Sequence, residues 1–151
     1  MQYRTIEHAD LVQVSNIVSE VSNIDILPHF CKQGKSEFIN RVIPDLEATM
    51  NSAIFNTIVA TDNEQIVGFA AIRERNYITH VFVSKNAQGK GIGKALVKKL
   101  LTFAQGKQVS LRASVNARSF YEALGFCATE PEGRFNGIRF ISMSIPIHNV
   151  D

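Results

Sequence analysis

The sequence is poor in the residues that staple or punctuate small secreted domains: it has two cysteines, Cys31 and Cys127, four prolines and no tryptophan. Two cysteines close at most one bridge and lack metal-ligand spacing, which excludes a disulfide framework, so both read as free thiols in a reducing compartment. An excess of charge of one sign is missing too. Sixteen Lys and Arg against fourteen Asp and Glu leave a net charge of +2. The signs are mixed along the chain, with neither an acidic tail nor the strong basic footprint of a nucleic-acid binder. No apolar run approaches membrane-spanning length, and Met1-Gln2-Tyr3-Arg4-Thr5-Ile6-Glu7 alternates where a signal peptide would have an apolar core. A soluble, cytoplasmic protein with no membrane partner is the expectation. His8, His29 and His148 show no spacing with carboxylates or cysteines that suggests a metal, so none is expected.

What the chain does have is enough apolar material for a core. Its 151 residues, 45% hydrophobic, suit a single domain spanning 1–151. The stretch around which the rest is organised runs from Val81 to Val97. Tyr77 to Val83 is rich in β-branched and aromatic residues, as strands are, and from Ile92 the apolar period becomes helical. Gly89, Gly91 and Gly93 therefore join a strand to a helix N-terminus. Backbone N–H groups there lack intrahelical partners and sit at the positive end of the helix dipole, which suits a phosphate. Glycines let the anion come close, and Lys90 and Lys94 add positive charge. The two familiar nucleotide loops do not fit. Gln88 and Ala95 stand where the P-loop needs Gly and Ser or Thr, and Lys94 stands where the dinucleotide fingerprint needs its third glycine.

In chain order, the pattern predicts a first strand over Gln2 to Glu7 and a helix from Leu11 to about Val21 with Asp10 as N-cap. Ser22 to Gly34 reads as irregular, with Ile24, Ile26, Leu27, Pro28 and Phe30 as its apolar groups. Ser36 is expected to cap a helix through about Val42, and Pro44 to start another towards Met50. Ile54 to Ala60 and Gln65 to Arg73 read as a hairpin across Thr61-Asp62-Asn63-Glu64, with Gly68 marking a bulge or close approach. After the glycine loop, Ile92, Leu96, Leu100 and Phe103 form the buried stripe of a long helix that Gly106 ends. Val109 to Ala113 follows as a strand parallel to the central one, completing a right-handed crossover. Ala117, Phe120, Tyr121 and Leu124 suggest a short helix stopped by Gly125, for which Asn116 serves as a cap or a functional group. Phe126 to Thr129 and Ile138 to Ile147 are the last strands, joined by a polar loop over Glu130 to Gly137. The fold class is mixed α/β (α+β): a mostly antiparallel central sheet with one parallel β-α-β crossover and helices on both faces.

Gln88-Gly89-Lys90-Gly91-Ile92-Gly93, directly after an apolar strand, matches the pattern Gln/Arg-x-x-Gly-x-Gly/Ala. Further on comes Asn116-Ala117-Arg118-Ser119-Phe120-Tyr121-Glu122-Ala123-Leu124-Gly125-Phe126, an asparagine followed by Phe-Tyr-Glu-x-x-Gly-Phe. With these two motifs in order, and a tail of Asn136-Gly137-Ile138-Arg139-Phe140 with Met143, the chain from Ile54 onward resembles the GCN5-related N-acetyltransferases. It is most similar to their small bacterial-type members; the N-terminal third matches loosely. The resemblance implies an acyl-CoA N-acyltransferase fold and transfer of an acetyl group from acetyl-CoA to an amine. The cofactor site is then expected on Val81, Phe82, Val83, Gln88, Gly89, Lys90, Gly91, Ile92, Gly93, Lys94, Asn116 and Tyr121. By the same resemblance Tyr121 is the acid beside the sulfur, and a backbone N–H near Val83 serves the carbonyl oxygen.

An alkyl amine of pKa ~10 is mostly protonated at neutral pH and must lose a proton before attack. His80, on the central strand, and Glu74, near its start, are the two candidate bases. The acceptor, a small-molecule, peptide or protein amine, is left open, as is the homodimer common in the family. Two other functions fit the same residues: an acyl-CoA sensor without turnover, and a nucleic-acid module using Lys90, Lys94, Lys98 and Lys99.

Overall fold

The computed structural model describes residues 1–26, 31–34, 44–135 and 137–147. Its strands are β1 (Gln2–Thr5), β2 (Phe55–Asp62), β3 (Gln65–Arg73), β4 (Tyr77–Val83), β5 (Gln108–Ala113), β6 (Cys127–Ala128), β7 (Gly133–Phe135) and β8 (Ile138–Pro146). Among the described residues, the α-helices with both ends defined are α1 (Leu11–Val21), α2 (Ile92–Leu101) and α3 (Arg118–Ala123). The sheet order is β1-β2-β3-β4-β5-β8-β6, with β7 paired to β8. Each of these pairings is antiparallel except β4 with β5, which α2 connects. This is the expected mixed α/β class, with one parallel crossover. No helix among the described residues is long and apolar enough to cross a membrane.

Helices cover both faces because two apolar sets face opposite ways along the same strands. Val14, Ile17, Val18 and Val21 of α1 pack with Leu46 against Val59, Phe69 and Ala71. Ile92, Leu96, Val97 and Leu100 of α2 pack against Ala60, Ala70, Ile72 and Ile78 on the other side. Alternation along β3 supplies both sets: Phe69 and Ala71 point one way, Ala70 and Ile72 the other. Gly68 is where α2 comes closest. A Cβ there would lie 2.9 Å from Leu96 Cδ1 and 3.2 Å from Ile92 Cγ2, and the register with β2 also shifts beside it, so both expectations for this glycine apply.

Local turns explain where several elements begin and end. The β2–β3 hairpin turns on Asn63 and Glu64, both at positive φ (51° and 68°). Successive left-handed residues match the strand twist and let β2 run on to Asp62, past the expected Ala60. Glu74 and Arg75 (φ 52° and 61°) make a second such turn before β4. Helix α2 stops at Leu101, short of Gly106, so Phe103 packs against the core from outside the helix. Helix α3 ends on Gly125 at φ 102°. There the Gly125 N–H donates to the Glu122 carbonyl (3.0 Å) and the Phe126 N–H to the Tyr121 carbonyl (3.1 Å), a glycine-terminated closure that fixes the end of the short helix.

Four expectations change. Of the segment expected to be irregular from Ser22 to Gly34, Ser22–Ile26 instead continues α1 as a π-helical turn and residues 32–34 are helical, while residues 27–30 lie outside the described residues. The polar loop after Ala128 contains β7, which exists only because β8 lies beside it: Gly133 pairs with Phe140, and a Cβ on Gly133 would meet the Phe140 ring. Asn116 is not the N-cap residue of α3, which is Ala117; it lies in a tight turn, Val115–Ala117, that precedes α3. Helix α1 does start after Asp10, but the Asp10 carboxylate does not cap it. Of the remaining readings, the helix capped by Ser36 lies outside the described residues, and residues 44–48 are helical, within the stretch expected towards Met50.

The Asp10 side chain is instead committed to Arg4 and to the chain entering the helix. Its two oxygens accept from the Arg4 guanidinium at 2.8 and 2.9 Å, and Oδ2 also accepts the Glu7 N–H at 2.7 Å. Asp10 is only 5% exposed, and the Arg4 hydrogen bond, helped by the Glu7 N–H, holds its carboxyl below the usual range. A depressed carboxylate stabilises the fold above its unfolded pKa of about 4, and the benefit is lost as pH falls through the lower folded value. Asp10→Ala is therefore expected to lower stability by about 1–3 kcal/mol at pH 7. The difference should shrink near pH 3. Urea unfolding at both pH values tests this; an equal loss at each would assign the effect to packing rather than charge.

Candidate active site

The site begins with an extra residue in β4. Ala71 pairs with His80 and Ile72 with Ile78, so Thr79 is bulged out of the β3–β4 ladder. A bulge reverses the facing of the residues beyond it and increases local twist. Strands β4 and β5 are paired only at Tyr77–Ser110 and Ile78–Leu111. Beyond that point they part, and the opening between them is the site.

One cavity, about 400 Å³, lies on the glycine-loop side of this opening. Val81, Phe82 and Val83 form its strand wall; Gln88, Gly89, Gly91, Ile92, Gly93 and Lys94 form its loop and helix wall. Gly89 and Gly91 both have left-handed backbones (φ 81° and 80°), and Gly91 immediately precedes α2. The first helical bond runs from the Ala95 N–H to the Gly91 carbonyl (3.0 Å). The amides of Ile92, Gly93 and Lys94 precede it, with no acidic residue in the first turn. That is the arrangement an oxyanion needs. Gln88 helps indirectly: its Nε2 donates to the Val83 carbonyl (3.0 Å) while Lys85 Nζ donates to its Oε1 (3.2 Å). The side chain thus ties the loop to the end of β4. Lys90 is exposed and does not line the cavity, and Lys99 lies over the Tyr3 ring, 5.2 Å from its centre.

A second cavity, about 360 Å³, lies beyond β4, bounded by Thr79, Arg112, Ala113, Ser114, Asn116 and the β8 residues Ile138, Arg139 and Phe140. Asn116 lines this cavity and not the loop side; the Ser114 hydroxyl donates to its Oδ1 at 2.7 Å. The two cavities share Val21, Val81, Phe82, Ala117 and Tyr121. Tyr121 is therefore at their junction. Its ring stacks edge-on with Phe120 (4.9 Å between centres) and Phe126 (5.6 Å). Burial raises its phenol well above the ordinary value, so the hydroxyl keeps its proton throughout the neutral range.

The candidate bases stand elsewhere. His80 faces the α1 side between Phe69 and Phe82 (ring centres at 5.4 and 6.3 Å), and its Nδ1 lies 2.8 Å from Thr79 Oγ1. Burial pushes its imidazole down to about 4. Glu74 is exposed in the turn before β4. Neither is among the lining residues of these two cavities. Several lining residues had no sequence signal: Arg112 and Thr79 are ordinary polar positions on strands, and Val21 is one residue of the α1 stripe. Phe120, in contrast, lies inside the second motif, and its 37% exposure reflects its place against Gly93, where a Cβ would be 3.2 Å from its ring.

Comparison with known proteins gives matches of three kinds. A family model described as an acetyltransferase (GNAT) domain matches residues 26–147. The chain is 32% identical over 73 residues to the peptidyl-lysine N-acetyltransferase YjaB of Salmonella typhimurium, covering 48% of this chain and 50% of that protein. The match thus spans half the length of this curated relative. Among solved structures, a GCN5-related N-acetyltransferase from Rhodopseudomonas palustris superposes with a TM-score of 0.75 at 21% identity, covering 96% of this chain and 94% of that one. The PaiA N-acetyltransferase of Thermoplasma acidophilum, solved in complex with coenzyme A, superposes at 0.76 with 14% identity, covering 96% and 98%. Both show the same fold.

Proposed function

The chain belongs to the GNAT acetyltransferase family, and on that premise we propose that its 151 residues form one acetyl-CoA-dependent N-acetyltransferase domain acting on an amine. The observation that carries this reading is the junction of two cavities at Tyr121, one of them walled by a glycine loop that runs into a helix N-terminus. The loop-side cavity fits coenzyme A: the α2 N-terminus and Lys94 suit its pyrophosphate, and the parted edge of β4 at Val81 and Val83 suits its extended arm. When bound, acetyl-CoA supplies an activated acetyl group on sulfur. Exposed thiols at Cys31 and Cys127 favour a reducing compartment such as the cytoplasm.

The residues divide the work by position. Tyr121 meets the leaving sulfur as a neutral phenol. Because burial raises its pKa, full transfer of its proton to a thiolate of ordinary pKa near 8.5 is uphill, so its contribution is a hydrogen bond to the developing negative charge. A backbone N–H of β4 near Val83 plays the corresponding part for the carbonyl oxygen. Since neither His80 nor Glu74 lines either of the two cavities that meet at Tyr121, the geometry favours loss of the amine proton through water in the second cavity over direct transfer to either. His80→Ala is then expected to leave the shape of the kcat/KM profile between pH 6 and 9 unchanged. A lost limb near neutrality in that variant would restore histidine as the base.

The reading as a whole is tested by calorimetric titration with coenzyme A, together with thiol release from acetyl-CoA in the presence of an amine panel. Binding with amine-dependent release is the expected result. Binding without release from any amine would make the chain an acyl-CoA sensor, and absence of binding would remove the proposal.

A further inference from the structure

The second cavity has a charge that its size and apolar walls do not require. Among its described lining residues are two arginines, Arg112 and Arg139, and no Asp or Glu. The two are not equivalent. Arg139 is held by Glu132 in a two-point contact (3.0 and 2.8 Å), so its charge is matched. Arg112 has no carboxylate partner among the described residues; its guanidinium lies over the Phe140 ring, 4.4 Å from the centre. Strand geometry puts it there, since its neighbours Leu111 and Ala113 are buried in the α2-side core and Arg112 points the other way. A guanidinium seated over a ring keeps N–H groups for another partner, and these match a carboxylate or phosphate.

Resting on the acetyltransferase reading, we propose that the acceptor is a small primary amine that also carries an anionic group, a carboxylate or a phosphate, which Arg112 holds while the amine reaches Tyr121. Polycationic acceptors face the opposite situation: a second ammonium group would be brought beside an unmatched guanidinium in a cavity whose described lining offers no carboxylate.

The test compares the unmodified protein with Arg112→Met, Arg112→Lys and Arg112→Glu, measuring thiol release from acetyl-CoA. Free amino acids, the matching amino-acid amides, an amino-sugar phosphate, spermidine, an aminoglycoside and a lysine peptide with blocked termini serve as acceptors. Either the free amino acids or the amino-sugar phosphate should lead, which also identifies the anion. Removing the anion from the leading acceptor and Arg112→Met should each lower kcat/KM by about 10-fold to 100-fold, mostly through KM, the range for a hydrogen bond to a charged group. The two losses should not add. Lysine at position 112 should recover part of the activity, and glutamate should turn the preference towards spermidine. Preference of the unmodified protein for a polycation or the blocked peptide would overturn the proposal, as would an Arg112→Met loss of equal size with the amide. Coenzyme A titration separates the two levels. Failure of the unmodified protein to bind it would overturn the acetyltransferase reading and this proposal with it, whereas normal binding with acceptor kinetics indifferent to Arg112 would overturn this proposal alone.

Discussion

Gly91→Glu is expected to weaken coenzyme A binding by about 100-fold in a protein that still folds. A Cβ at this glycine would meet nothing within 4 Å, so no clash drives the loss of function. Two effects separate cleanly here. The left-handed backbone (φ 80°) penalises any side chain by ~1–2 kcal/mol, which lowers stability modestly. The carboxylate, however, is placed at the start of α2, where the amides and Lys94 would receive phosphate. Two like charges ~4 Å apart at an effective dielectric of ~20 repel by about 4 kcal/mol, so even partial screening leaves a loss on the order of 100-fold in affinity. Gly91→Ala is the control, carrying the strain without the charge, and should retain most of the affinity. Calorimetry with thermal unfolding decides the matter; a folded Gly91→Glu variant with unchanged affinity would reduce the loop to a structural turn. Gly93 gives a less direct version of the experiment, because a side chain there first displaces Phe120.

Tyr121→Phe is expected to lower kcat by about 100-fold or somewhat less, at the lower end of what acid catalysis supplies. The expectation sits at that end because the raised phenol pKa limits Tyr121 to hydrogen bonding. Packing predicts nothing of the kind. The ring contacts with Phe120 and Phe126 are kept by phenylalanine, so stability and coenzyme A affinity should change little. Since the hydroxyl holds its proton across the neutral range, the variant should also keep the wild-type pH profile, scaled down. Steady-state kinetics with a working acceptor check this beside coenzyme A titration and thermal unfolding. Wild-type kcat would take Tyr121 out of the mechanism, and parallel losses in rate and stability would assign it to the core.

Much of the architecture is legible in the sequence because it is local. The period along α1 and α2, the short apolar runs of β2 and β3 on either side of a polar turn, and Gly125 after an apolar helical set each report the backbone within a few residues of themselves. The loop-side cavity belongs to the same class: Gln88 to Lys94 is contiguous, and its chemistry follows from a strand running into a helix. Elements that depend on a distant partner are misread or missed. Strand β7 has the composition of a loop because its three residues pair only when β8 is present. Asp10 has the position of a cap because the sequence does not show that Arg4, across the β1–α1 connection, takes both of its oxygens.

The sequence by itself determined most of the order of elements, the glycine loop between β4 and α2 and the motif that carries Tyr121. It did so because each is written in consecutive residues whose hydrophobic period or glycine content constrains the backbone directly. Tertiary structure alone decided that Thr79 is bulged, that β4 and β5 part after two pairs, and that a second cavity opens on the far side with Arg112 over Phe140. A strand residue pointing away from the core has the same pattern whether it meets water or a cavity wall. Only the positions of residues far apart in the chain, such as Val21, Arg112 and Phe140, distinguish the two, and those positions follow from packing on both faces of the sheet rather than from any local preference.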